Sequence, residues 1–212
     1  MTSAGSIVNI AMLFVIAPIV AVYLLLDWDN MIARINDLIP RDHAPVVRRL
    51  AGEIDATLSA FVRGMGSVCL ILGIYYAVAL MAVGLNFGLV VGLVAGLVTF
   101  IPYVGALVGG TLALGLGLFQ FWGDWSSLAI VAGIFFAGQM IEGNYLTPKL
   151  VGSSVGLHPV WLLLALSVFG ALFGFIGMLI AVQLVATLGV LARFVTAQSL
   201  DSRLYRGLSG KE

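Results

Sequence analysis

Charged side chains are what this chain has least of. Only 9% of its 212 residues are Asp, Glu, Lys or Arg, ten of each sign, and the net charge is zero. A neutral chain has no basic face with which to hold phosphates, which argues against a nucleic-acid partner. Cysteine is reduced to one residue, Cys69, inside an apolar run. It has no partner for an intramolecular disulfide and reads as a small buried hydrophobe rather than a redox group. The two histidines, His43 and His158, are far apart and each sits in a loop-like stretch. There is no metal-ligand spacing, no Gly-x-Ser-x-Gly elbow and no Gly-x-x-x-x-Gly-Lys phosphate loop. No catalytic residue, metal site or cofactor is expected, and the chain does not read as an enzyme.

What fills the chain is apolar. Hydrophobic residues make up 61% of it, with a mean hydropathy of +1.13. A soluble core cannot absorb that much apolar surface, so the expectation is an all-α, polytopic membrane protein whose first partner is the lipid bilayer. Ile7–Leu26 has no Lys or Arg before it and exceeds a signal peptide's core, so it reads as a retained span. The cations cluster. Arg34, Arg41, Arg48, Arg49 and Arg63 form one block, Arg193, Arg203, Arg206 and Lys211 a second, and Lys149 stands alone. The positive-inside rule places all three regions in the cytoplasm. This predicts a transmembrane helix in 1–26, cytoplasmic amphipathic helices in 27–66, a transmembrane core in 67–195 and a cytoplasmic tail in 196–212. Within the core, Ser67–Val83 runs outward, Ser126–Ile141 runs inward, and 142–158 is a cytoplasmic loop.

Two apolar stretches, 87–121 and 159–192, are too long to cross a bilayer once and short for crossing twice. Breakers interrupt each near its middle: Pro102 and Gly105 in the first, Gly174 and Gly177 in the second. The leading arms, Phe87–Phe100 and Val160–Phe173, are each about 21 Å long as helices, against about 30 Å of hydrocarbon. They predict two helical hairpins that dip into the membrane and return, oppositely oriented because one starts outside and the other inside. Backbone broken at that depth must be sheltered by protein or water, and paired broken segments point to a transporter's binding site. At an offset of 72 residues, Gly84, Gly105 and Gly117 meet Gly156, Gly177 and Gly189, consistent with an inverted repeat. Gly84, Gly88, Gly92 and Gly96 form a small-residue ridge that either packs tightly or serves as a sliding surface.

In the cytoplasmic segment, Ile32, Ile35, Leu38 and Ile39 keep helical spacing up to Pro40, and Val47, Leu50, Ile54, Leu58 and Phe61 form a second stripe. Such helices lie on the membrane face or pack on each other. Polar groups at membrane depth are the remaining signal. Gln139 and Glu142 share a helix face, with Asn144 following. Glu142 either faces water, paired with Lys149, or lines a cavity as a proton carrier. At the hairpin tips, Pro102 leaves carbonyls near residue 98 without helix partners, and Gly174 and Gly177 permit unwinding. Thr99, Tyr103 and Thr111 add hydroxyls, although a membrane Thr commonly bonds back to its own helix. Asp124 reads as the cap of the helix that follows it.

The string Phe100-Ile101-Pro102-Tyr103-Val104-Gly105 resembles the hairpin tip of the autoinducer-2 exporter family. Gln139 to Gly152, with Glu142, Asn144, Pro148 and Gly152, resembles that family's loop motif. Val155-Gly156-Leu157-His158-Pro159 and Phe173-Gly174-Phe175-Ile176-Gly177 continue the likeness, which runs from about Ile7 to Ala192. The resemblance implies a multi-pass permease of the bacterial inner membrane that exports a small polar solute. Its path would run along Pro102, Tyr103, Gly105, Gln139, Glu142, Asn144, Pro148, Gly152, Gly174 and Gly177. It also implies a homo-oligomer, with a pentamer as the implied form. Sodium–proton exchange has been linked to other members, and a non-transporting fragment or scaffold is the third alternative. Family chains carry membrane helices upstream of the position matching Ile7, so a fragment or a shortened member is expected. Gln183 stands where the family usually has proline.

Overall fold

A computed structural model describes residues 3–151 and 159–200, with side chains over 15–151 and 160–196. The described residues hold helices and turns but no strand. The chain divides into two compact units, Met1–Ala51 and Gly52–Glu212.

In the first unit, α1 spans Ser3–Leu26 and α2 spans Trp28–Leu38. The axis bends by 65° at Asp27 between them. The Asp27 carboxylate accepts a hydrogen bond from the Asn30 amide at 2.8 Å. Pro40 disfavours helical backbone at the residue before it, and Ile39 is extended (ψ 128°), which ends α2. The His43 and Ala44 amides both donate to the Pro40 carbonyl, turning the chain into α3, Ala44–Ala82. Arg48 Nε donates to Asn36 Oδ1 at 2.7 Å and ties the start of α3 to α2.

The second unit is built on the rest of α3. No break in the helix marks residue 66, and α3 is one 39-residue helix. The reason is continuity of its buried stripe. Phe61 is followed at steps of three and four by Met65, Val68, Leu72, Tyr76 and Leu80, all buried, and no proline intervenes. Gly84 (φ 78°) closes the helix, with the Gly84 amide donating to Met81 and the Leu85 amide to Leu80.

The first hairpin follows as α4, Gly88–Val98, and α5, Val104–Gln120. Gln120 fastens its base: its amide donates to the Gly84 carbonyl at 2.7 Å, and its oxygen accepts from the Asn86 amide at 2.6 Å. Three residues of the glycine ridge face α3, while Gly84 is exposed. Gly88 lies on Leu80, Gly92 on Ala77, and Gly96 on Gly73, so the packing reading of the ridge holds within one subunit. On the other arm, Gly109 and Gly110 receive the Phe135 ring, and Gly117 receives Val131. Those two side chains belong to α6, Trp125–Ile141, which runs back along α5.

Asp124 caps α6 as expected. Its carboxylate accepts from Ser126 Oγ at 2.5 Å, Ser127 Oγ at 2.6 Å and the Ser127 amide at 3.3 Å. The Ser126 and Ser127 hydroxyls, then the amide, hold its pKa down at about 2, from an ordinary 3.8. A depressed folded-state value means the cap contributes above the ordinary carboxylate range and is lost as pH falls from about 4 through about 2. Hydrogen exchange at the Ser127 amide is expected to lose protection over that window. Asp124→Asn should abolish the pH dependence. Unchanged protection down to pH 2 in the parent would contradict the assignment.

The expected loop at 142–158 is corrected over its first ten residues. Glu142–Val151 continues from α6 as a π-helix with Pro148 inside it. Its far end is held because Gly64 has no side chain, so the Leu150 carbonyl settles directly on α3. A proline lacks only its own N–H, and the wider i→i+5 winding accommodates the ring without ending the segment.

Finally, α7 spans Pro159–Leu200 and is broken at Gly174 (φ 61°, ψ −142°). Eight residues of straight helix would separate Phe169 from Gly177 by about 12 Å. Instead the Phe169 carbonyl touches Gly177, and Met178 lies over Gly170. Trp161 and Ala192 line one groove of about 560 Å³. The chain therefore folds back at Gly174, and 159–173 and 175–200 are the arms of the second hairpin.

Candidate functional site

The two tips are built by different means at the same relative place. In the first, Pro102 removes a donor and Tyr103 adopts positive φ (65°). In the second, Gly174 takes the positive φ. Gly105 and Gly177, paired by the 72-residue offset, are both buried where the returning arm meets the entering one, on Thr99 and Phe169 respectively. The expected free carbonyls at the first tip are corrected: Leu97, Val98 and Ile101 accept from the Phe100, Ile101 and Gly105 amides at 3.0–3.2 Å. Tight turns replace the lost helix bonds. Thr99 is buried and its hydroxyl donates to Ala95, while Thr111 donates to Leu107, the local fate expected of membrane threonines.

The tip of the first hairpin is lodged in the flank of the second. Ile101, 1% exposed, packs with Ala165 and Leu166 of one arm and Ala181 of the other, with Phe169 and Met178 alongside. Leu179, nearer the second tip, lines a groove of about 480 Å³ with Leu93, Leu97, Phe100 and residues of α3 from Gly66 to Ile74. Moving toward one tip therefore leads away from the other. Tyr103 is half exposed, Pro102 is partly covered, and Phe173, Gly174, Phe175 and Ile176 are exposed.

A separate polar network joins α3 to α6. Gln139 Nε2 donates both to Tyr76 Oη at 3.2 Å and to Glu142 Oε2 at 3.0 Å. Tyr75 and Tyr76 donate to the consecutive carbonyls of Ile134 and Phe135, at 3.1 and 3.4 Å. Tyr76 stacks on Phe135 with centroids 5.2 Å apart. Gly138 makes the approach possible, because a Cβ there would strike the Tyr76 ring. Gln139 and Glu142 are thus brought together as expected, with Glu142 partly buried and joined to Gln139 rather than to Lys149. Asn144 is exposed and bonds back to Met140, and Pro148 is exposed. Gly152 lies outside the described residues. Gln183 is helical, and its buried Oε1 has no hydrogen-bond partner among the described residues.

Sequence reasoning missed Tyr76, Gly138 and the socket of Ile101. The available signal was a tyrosine pair inside an apolar run, since a buried phenol needs a partner for its hydroxyl.

Helices long and apolar enough to cross a bilayer, combined with two broken hairpins, the tip of the first lodged in the flank of the second, define a multi-pass α-helical membrane protein. Residues 2–197 match the family described as AI-2E family transporter, and the chain belongs to that family. It is 33% identical to a Bacillus subtilis protein named "Putative transport protein YrrI", over 86% of this chain and 52% of that one. It is 32% identical to a protein of Escherichia coli K12 named "Putative permease PerM", over 87% and 52%. The chain thus spans about half the length of these curated relatives. No solved structure gives a significant match.

Proposed function

We propose that this chain forms the broken-hairpin part of a bacterial inner-membrane permease that exports a small polar solute, of the autoinducer-2 kind, by alternating access. The two hairpins enter from opposite faces as an inverted pair, and their tips close the path. The observation that carries this reading is Ile101, at the break of the first hairpin, seated against both arms of the second. An apolar plug flanked by the half-exposed Tyr103 would act as a hydrophobic constriction. Gln139, Glu142 and Tyr76, the separate polar network, would line another stretch of the path. Assembly into a homo-oligomer, a pentamer by family resemblance, belongs to the same proposal. Efflux should be measured in vesicles carrying this chain, beside a version extended upstream to the length of its relatives. No solute movement by either version would defeat the reading.

A second reading, sodium–proton antiport, is favoured by one observation: the carboxylate of Glu142 is held by an amide that also grips α3. Glu142→Gln separates the two. Under antiport, sodium-driven proton movement in inverted vesicles is expected to fall about tenfold or more, the scale of a lost charged hydrogen bond. Organic-solute export that keeps its full pH dependence in the variant would remove Glu142 from the mechanism.

A further inference from the structure

Helix α2 is one-sided. At 100° per residue, Leu38, Met31, Ile35, Trp28 and Ile32 fall within an arc of about 120°, while Asp29, Arg34, Asp37 and Asn30 occupy the opposite side. Two arrangements suit such a helix: its apolar face covered by protein, or laid on a membrane. The contacts separate them. Asn36, on the polar flank, is the residue tied to α3 through Arg48. The apolar face is left open, with Trp28 50%, Ile32 45%, Ile35 50% and Leu38 83% exposed, and α2 has no buried residue.

We infer that α2 is an in-plane anchor whose apolar face is sunk in the headgroup–acyl boundary of the bilayer crossed by α1. Continuity names this occupant. The exposed apolar surface of α1 runs through Leu25 and Leu26 directly into Trp28, with only Asp27 between. A span tilted by about 20° from the normal, followed by a 65° bend, brings α2 to between about 45° and 85° from the normal. Its 11 residues measure about 16 Å, too short to cross. Trp28 sits at the bend, where an indole favours the interface. Charge excludes headgroup recognition as the attraction. Asp27, Asp29 and Asp37 outnumber Arg34, so the helix carries no basic cluster for anionic lipid. Apolar burial holds it, and it should insert equally into neutral and anionic bilayers.

Spin labels placed one at a time at Ile32, Ile35, Asp29 and Asp37, in the full chain carrying Cys69→Ala, test the inference. The chain is reconstituted in phosphatidylcholine vesicles with and without phosphatidylglycerol. Labels at Ile32 and Ile35 are expected to collide with oxygen and to be shielded from a water-soluble nickel complex. Labels at Asp29 and Asp37 should show the reverse, in both lipids alike. Four nickel-accessible labels would place the face in water and overturn the inference. Shielding of Ile32 and Ile35 from both reagents would overturn it in favour of a protein cover, either a second copy or an upstream segment. Shielding only with the anionic lipid would overturn the apolar mode of binding. None of these readings depends on solute transport.

Discussion

Gly174→Val is expected to open the second hairpin. Positive φ with ψ near −142° is backbone that only glycine enters freely, and a β-branched side chain is the least tolerant of it. The strain is on the order of 1–3 kcal/mol for a simple side chain and larger for valine. A straight helix through 174 relieves it, at the cost of the contacts between the arms. Trp161 and Ala192 are the sensitive pair. They line one groove in the folded hairpin, whereas a continuous helix would hold them about 46 Å apart. With cysteines at these two positions on a Cys69→Ala background, a short bismaleimide is expected to join them in the parent and to fail in the valine variant. Gly174→Ala should retain part of the cross-link. Full cross-linking in Gly174→Val would show that another residue makes the turn.

The second large effect is expected at Gly92. A Cβ there would enter the backbone of α3 at Ala77, which no side-chain rotation can relieve. Gly92→Ala should cost about 1–3 kcal/mol through overpacking, and Gly92→Leu should prevent α4 from seating on α3. Gly115 and Gly133 are the internal controls, because nothing lies within 4 Å of a Cβ at either position. Alanine at those two sites is expected to be neutral or to stabilise by up to about 1 kcal/mol through helix propensity. Monodispersity in detergent and resistance to thermal aggregation report the contrast. Equal tolerance at Gly92 and Gly115 would mean that the α3–α4 seam is looser than its geometry implies.

The parts of this fold that were legible beforehand share one property: their cause is local. A proline or glycine tuple about 14 residues into an apolar stretch breaks a helix whatever surrounds it, so both hairpins could be placed. Asp124 followed by two serines caps a helix by the same short-range logic. The ridge from Gly84 to Gly96 was visible as a surface, but its partner on α3 was not, because contact between residues 73 and 96 is a property of packing. One local signal pointed the wrong way. Polar residues and Pro148 read as a loop where the chain winds on as a π-helix. Of the candidate site, Gln139 and Glu142 were found by spacing. Tyr76 was not, because its role depends on a glycine 62 positions later in the chain.

The seating of Ile101 bears on how the chain is made. Ala181, one wall of its socket, leaves the ribosome 80 residues after Ile101 itself. At about 5–20 residues per second, that is roughly 4–16 s of elongation. Throughout that interval the socket of the isoleucine is incomplete, since the arm that carries Ala181 is the last part of it to be made. The insertion machinery or surrounding lipid must shelter a bent, incomplete structure until the later segment arrives to clasp it, so the order of translation leaves the first tip waiting for the second.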